Sequence, residues 1–230
     1  MHNYFQFSFL LFVMALLPSS IFAQTGEDEL GNWLMYFGTN RIADDWSIHS
    51  EVQYRHHKVA PVNIEQLLLR TGLNYHWSSN AILTGGYAYI ASHDFESDQN
   101  EPESREHRIF QQLILTNKVS RLKFEHRYRV EQRWVNGDYR NRLRYRLMVF
   151  LPINKPTITK GTIFLGVYDE IFMNTEQTFF DRNRLYAALG YQINKTTQVQ
   201  AGYLRQRVNA FGKNHLQFAV VFNPDFRKEN

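Results

Sequence analysis

The chain has 230 residues, of which 43% are hydrophobic and 15% aromatic, and a formal charge of +4. That is sequence enough for one domain and too apolar for disorder, and its slightly negative mean hydropathy excludes a polytopic helical membrane protein. It leaves open a β-barrel, whose strands alternate and average out; the lack of cysteine removes disulfides, thiolate chemistry, Cys-ligated metals and an acylated lipoprotein terminus.

In chain order, residues 5–17 form the only long apolar run, and Pro18, Ser19, Ser20, Ile21, Phe22 and Ala23 follow it. Its amino end carries only the start amine and His2, without the usual Lys or Arg. The run reads as a secretory signal peptide, 1–23, with cleavage after Ala23 and a mature domain over 24–230 that opens at Gln24. It is too short to span a bilayer comfortably, and no second apolar stretch reaches 18 residues. A mature chain resident in a membrane must therefore cross it as strands.

Beyond the signal, period-two alternation and turn residues predict an all-β meander of about eleven strands at 32–40, 46–57, 64–77, 81–91, 105–117, 121–134, 140–151, 161–173, 181–193, 197–207 and 214–222. The second opposes Trp46, Ile48, Val52 and Tyr54 to Ser47, His49, Glu51, Gln53 and Arg55. The third opposes Leu67, Leu69, Leu73, Tyr75 and Trp77 to Gln66, Arg70, Asn74 and His76. The sixth is the clearest: Leu122, Phe124, His126, Tyr128, Val130, Gln132 and Trp134 interleave with Arg121, Lys123, Glu125, Arg127, Arg129, Glu131 and Arg133. A helix would scatter those charges round its circumference. In the seventh strand Leu143, Tyr145, Leu147, Val149 and Leu151 alternate with Arg142, Arg144 and Arg146. In the ninth, Leu185, Leu189 and Tyr191 alternate with Arg184, Tyr186 and Gln192.

Strands of about 10 to 14 residues exceed the roughly 5 to 6 of soluble sheets and suit a tilted membrane crossing. Short turns are expected at Ala43–Asp45, Ser78–Asn80, Asn117–Ser120 and Asn194–Thr196. Longer loops are expected at His57–Asn63, Ser92–Ser104, Val135–Tyr139, Asn174–Phe180 and Val208–Lys213, which is the asymmetry of outer-membrane barrels. Trp46, Trp77, Trp134, Tyr168 and Phe222 fall near strand ends, where interfacial girdles sit. Bacterial barrels usually close with an even number of strands, so eleven argues for one strand missed before Asn32 or one miscounted. The expected architecture is a single antiparallel up-and-down transmembrane barrel of 10 to 12 strands.

The alternation also sets the faces. A basic residue on a lipid face near the midplane costs roughly 2 to 4 kcal/mol, and a one-residue slip of 121–134 would put Lys123, Arg127 and Arg129 there, on the order of 6 to 12 kcal/mol. The charged set, Arg121, Lys123, Glu125, Arg127, Arg129, Glu131, Arg133, Arg142, Arg144, Arg146 and Arg184, is therefore expected to line a wet lumen. Excess positive charge there would favour small anions, whereas complete cross-strand pairing would simply fill a narrow barrel.

The segments Arg127-Tyr-Arg-Val-Glu-Gln-Arg-Trp134, Arg140-Asn-Arg-Leu-Arg-Tyr-Arg146, Tyr168-Asp-Glu-Ile-Phe172 and Asp181-Arg-Asn-Arg-Leu-Tyr186, with Gly31-Asn-Trp-Leu34 and Gly202-Tyr-Leu-Arg-Gln206, resemble the uncharacterised outer-membrane barrel family known as domain of unknown function 2490. The resemblance covers nearly the whole mature chain. It implies a barrel in the bacterial cell outer membrane, among outer-membrane lipid and lipopolysaccharide, and no activity, cofactor or catalytic residue to carry over. Leu216, Phe218, Val220 and Phe222 look like the terminal strand read by barrel insertion machinery, although the chain continues through Asn223 to Asn230.

Other chemistry is poorly represented. His49, His76, His107, His126 and His215, with Glu106, Glu125 or Asn141 nearby in sequence, leave open a barrel hydrolase acting on envelope lipid, but no serine stands at a recognisable nucleophile position. His56 and His57 point to opposite faces of a strand, and no zinc signature occurs. Asp94, Glu96 and Asp98 begin like a calcium loop, yet Gln99 replaces the required glycine and Arg105 the bidentate Glu. No cofactor is expected. Basic residues dispersed in an exported chain do not make a nucleic-acid surface. A soluble, secreted β-protein is the remaining class.

Overall fold

Alternation along each segment needs a partner strand on either side, because a lone strand leaves its backbone donors and acceptors unpaired. In the computed structural model, which describes residues 29–60, 63–95, 101–176, 179–208 and 211–227, eleven strands satisfy one another in a closed barrel. They are β1 (Gly31–Arg41), β2 (Trp46–Lys58), β3 (Asn63–Ser78), β4 (Ala81–Ser92), β5 (Ser104–Val119), β6 (Leu122–Val135), β7 (Asp138–Pro152), β8 (Ile163–Asn174), β9 (Phe180–Gln192), β10 (Thr197–Val208) and β11 (Phe211–Phe222). The proposed signal peptide, and Glu96 to Gln99 of the acidic loop, lie outside the described residues.

Neighbours in sequence pair antiparallel around the barrel, but β1 and β11 pair parallel, from Gly31 opposite His215 to Gly38 opposite Phe222. This corrects the even-number expectation. In a meander of eleven strands the first and last run the same way, so the closing pair has to be parallel. Among the described residues β1 begins at Gly31, one residue before the expected start at Asn32. Past the seam, Arg41 and Asp225 form an isolated bridge, and Arg227 reaches Asp44 Oδ1 at 2.8 Å and Asp225 Oδ2 at 2.6 Å. The tail is thereby tied to the β1–β2 turn.

Faces follow the alternation. Arg127, Arg129 and Glu131 are buried inside, whereas Tyr128 and Val130 between them are exposed outside. Leu34, Val52, Leu69, Leu73, Leu143, Leu189, Phe218 and Val220 are likewise exposed, so the outer wall is an apolar sleeve. Trp46 stacks on Tyr75 at 4.9 Å at one end of it, and Trp134 on Tyr139 at 5.3 Å at the other. Tyr168 does not join them. It lies in the middle of β8, 9% exposed, stacked on Tyr186 at 4.8 Å inside the barrel, because even-numbered residues of β8 face inward.

Three connections depart from the expected lengths, one of them Val208–Lys213, where only two residues separate β10 from β11. Val135–Tyr139 is a two-residue hairpin turn in which Asn136 and Gly137 have φ of 50° and 95°, the left-handed pair that favours Asn-Gly. Conversely, residues 153–162 make a long connection at the end where the other turns are short. Arg121 Nη2 holds it by donating to the carbonyls of Pro152, Ile153 and Lys155 at 2.8, 3.1 and 2.9 Å. Pro156 to Lys160 turn toward the interior and line its mouth.

Candidate functional site

Inward side chains from all eleven strands surround a cavity of about 1210 Å³ whose lining extends from Ser79, Asn194 and Asn223 at the short-turn end to Ser92, Ser104 and Val135 at the other. Among the described residues sixteen Arg and Lys line it against four Glu, with Glu131 buried behind them. The chain as a whole carries only +4. Alternation puts this charge inside because the outer positions of the same strands are apolar, and the register then decides which charges meet.

The register produces a problem and its solution together. Arg127 stands directly opposite Arg146, and Arg129 opposite Arg144, and like charges in register repel. Carboxylates on the flanking positions separate them. Glu131, fully buried, accepts from Arg142 Nε and Nη2 at 2.9 and 2.7 Å, from Arg144 Nη1 at 2.7 Å and from Arg108 Nη1 at 3.4 Å. Glu170 takes Arg127 at 2.6 Å and Arg144 at 2.7 Å. Glu125 takes Arg146, Glu106 takes Arg133 and Arg108, and Glu51 takes Arg70. Charge-assisted bonds of this kind are the strong ones, and each carboxylate here holds strands together.

Aromatic rings carry the rest. Phe172 has the guanidinium carbons of Arg142, Arg144 and Arg184 at 5.2, 4.2 and 4.8 Å from its centroid, and Phe110 has those of Arg70 and Arg129 at 5.3 and 5.0 Å. Trp33 lies under Arg55 at 4.1 Å and Arg184 at 5.0 Å. A ring face attracts a cation without neutralising it.

Of the eleven residues expected to line a lumen, ten face inward on β6, β7 and β9, while Arg121 stands in the β5–β6 turn, gripping the 153–162 connection at the mouth. Arg129 hydrogen-bonds only the Gln112 amide oxygen and lies 3.7 Å from Glu131. Among the described residues Arg184 bonds only Gln206 Oε1, at 2.8 Å. Other members were absent from that set. Glu51, Arg55 and Arg70 already stood on the polar face of their strands, and Glu106, Arg108 and Glu170 alternate in the same way on β5 and β8. Glu65 carried no such signal: it is the extra residue of a β-bulge between Arg55–Gln66 and His56–Ile64, where it accepts from Trp33 Nε1 at 3.2 Å. Bulges re-aim side chains in this manner.

The histidines disperse. His126 is outside, 2.9 Å from Tyr145 Oη; His107 meets Tyr87 on the outer wall; His49 touches Glu51 at 3.3 Å; His215 is buried against Trp33. His76 Nε2 lies 2.8 Å from Ser47 Oγ, the one Ser–His contact of hydrolase type among the described residues. Ser47 is wholly buried, its oxygen also accepts from Asn74 Nδ2 at 2.9 Å, and no carboxylate is hydrogen-bonded to His76. The pair belongs to a chain of polar contacts running through Asn74 and Thr84. No cluster of three metal-ligating side chains occurs among the described residues.

Fold and interior define the class: a closed eleven-stranded β-barrel, apolar outside, filled with a cation-rich lattice of ion pairs. Residues 30–217 match the family described as protein of unknown function (DUF2490), and the chain belongs to it. A relative from Methylorubrum extorquens, itself described as uncharacterized, is 28% identical over 152 residues, 62% of this chain and 64% of the relative, so under two thirds of that protein is spanned. No solved structure matches.

Proposed function

We propose that this protein resides in the bacterial outer membrane, its apolar sleeve against lipid and the lipid part of lipopolysaccharide, and that its interior is a narrow passage favouring small anions. The observation that carries the reading is the cavity wall, sixteen basic side chains against four acidic ones. In a confined, partly desolvated space such an imbalance raises the local concentration of anions and repels cations. Support for the location comes from the apolar run at 5–17, the strand lengths and the exposed outer Leu, Val and Phe residues. The final strand, alternating to Phe222, fits recognition by barrel insertion machinery.

The test has two stages. A heat-modifiable band in the outer-membrane fraction establishes a folded barrel there; recovery in the aqueous fraction would refute the location. Purified barrel in planar bilayers under a salt gradient is then expected to conduct with anion preference, reduced in Arg129→Ala and Arg144→Ala. A cation preference or no conductance would overturn the passage.

A further inference from the structure

One part of the cavity joins two unlike walls. Trp33, Met35, Met148, Tyr168 and Tyr186 form an apolar cluster inside the barrel, with Phe37 and Phe150 packed on it, and the cluster opens on the cavity. At its edge stand two arginines that the ion-pair lattice leaves out. Arg184 is 7% exposed and, among the described residues, its single hydrogen bond runs from Nε to Gln206, so neither Nη has an acceptor there. Its cross-strand neighbour Glu170 is turned to Arg127 and Arg144. Arg55, 6% exposed, bonds among the described residues only the amide oxygens of Gln53 and Gln66. Both guanidiniums sit on Trp33, and Arg184 is held between that indole and Phe172. Glu65, bonded to the same indole, is the main negative charge acting on Arg55 through space, but among the described residues it forms no ion pair within 4 Å with either arginine.

A buried guanidinium without a directly paired carboxylate is costly. Here two are kept side by side and stacked into fixed orientation, with the fork of one open to the cavity. A planar fork matches the two oxygens of a carboxylate. A bare inorganic ion would leave the adjoining Met35 and Met148 wall uncovered, whereas an apolar group attached to the carboxylate would bury it. We propose that this is a binding site for a carboxylate anion with a small apolar body, the carboxylate on the Arg184 fork beside Arg55 and the body against Met35 and Met148. The proposal rests on the anion-admitting reading only for the route by which the ligand enters.

The probe is 3-phenylpropanoate, titrated calorimetrically into the full barrel in lipid nanodiscs. Saturable binding is expected, with 3-phenylpropanol and inorganic phosphate each about tenfold weaker or more, since each lacks one half of the recognition. Arg184→Gln is expected to weaken binding by about tenfold or more, Arg184→Lys to restore part of it, and Arg205→Gln on the outer wall to change nothing, each variant keeping its heat-modifiable shift. Equal binding of phosphate or the alcohol, unchanged binding in folded Arg184→Gln, or no binding in any arm would overturn the site. The comparison of the three compounds uses the native chain, so it decides the matter even if Arg184→Gln fails to fold. Binding without anion-selective conductance would remove the passage and keep the site; selectivity without binding would do the reverse.

Discussion

Glu131 is the side chain on which the interior lattice converges, and Glu131→Ala is the most informative single perturbation of it. Its carboxylate accepts four hydrogen bonds within 3.5 Å from Arg108, Arg142 and Arg144, with Arg129 at 3.7 Å. Taken singly, each charged bond contributes about 1.5 to 3 kcal/mol, so a naive sum reaches roughly 6 to 12 kcal/mol. Such a sum overstates the loss, because bonds in one network are not additive and the freed arginines can turn toward water in the cavity. Removing one partner of a buried ion pair typically costs about 3 to 5 kcal/mol, and that is the expected loss here. Glu131→Gln keeps one acceptor oxygen and is expected to lose about half as much. The assay is urea unfolding of the barrel in lipid vesicles, followed by tryptophan emission and by the heat-modifiable band. Adding Arg129→Met to Glu131→Ala should recover part of the loss, because Arg129 has Glu131 as its one carboxylate within 4 Å among the described residues, whereas Arg108, Arg142 and Arg144 keep Glu106, Asp181 and Glu170. A loss below about 1 kcal/mol for Glu131→Ala would refute the view that the lattice holds the strands together.

Val130, 39% exposed on the outer wall opposite Leu143, tests the sleeve: Val130→Arg is expected to cost about 2 to 4 kcal/mol in lipid and under about 0.5 kcal/mol if that wall faces water, read from the same unfolding curves. A Cβ at Gly190 would come within 2.1 Å of the Phe164 ring, so Gly190→Ala should destabilise by about 1 to 3 kcal/mol, whereas Gly85, with nothing within 4 Å, should accept alanine without loss. Arg121→Ala, by releasing the 153–162 connection from its three carbonyl bonds, is expected to raise single-channel conductance. In the tail beyond the strands, Arg227 holds the Asp225 carboxyl down at about 2, below its usual 3.8. The clasp should therefore be fully present above the usual value and loosen only as pH falls through about 2, which hydrogen exchange at the Arg227 amide would report.

What was legible in the sequence is what short-range chemistry decides. A side chain's face in a strand depends only on its parity, so Arg127, Arg129, Arg142, Arg144 and Arg184 could be placed inward from their apolar neighbours alone, and strand limits came within a few residues. The Asn136-Gly137 turn is legible in principle, since two successive left-handed residues suit that dipeptide, although the polar stretch Val135–Tyr139 also fits a longer loop. For Tyr168 parity in β8, not distance from a strand end, decides the face, and it points inward. Partner choice was not legible at all. Arg142 meets Asp181, 39 residues away, and Arg127 meets Glu170, 43 away, only because registers around the closed barrel bring them level.

Closure itself shows the same division. Eleven strands could be counted along the chain, yet whether the first and last pair, and in which sense, depends on the whole circuit of strands, and the parallel seam between Gly31 and Gly38 exists only once that circuit closes. Glu65 faces inward because a bulge shifts its parity, and Arg184 keeps a free fork because Glu170 is already taken. Pattern within a strand is a property of consecutive residues, and the amino-acid sequence states it outright. Which charge neutralises which, and which is left over to hold a ligand, is settled by distances between strands that only the folded barrel defines.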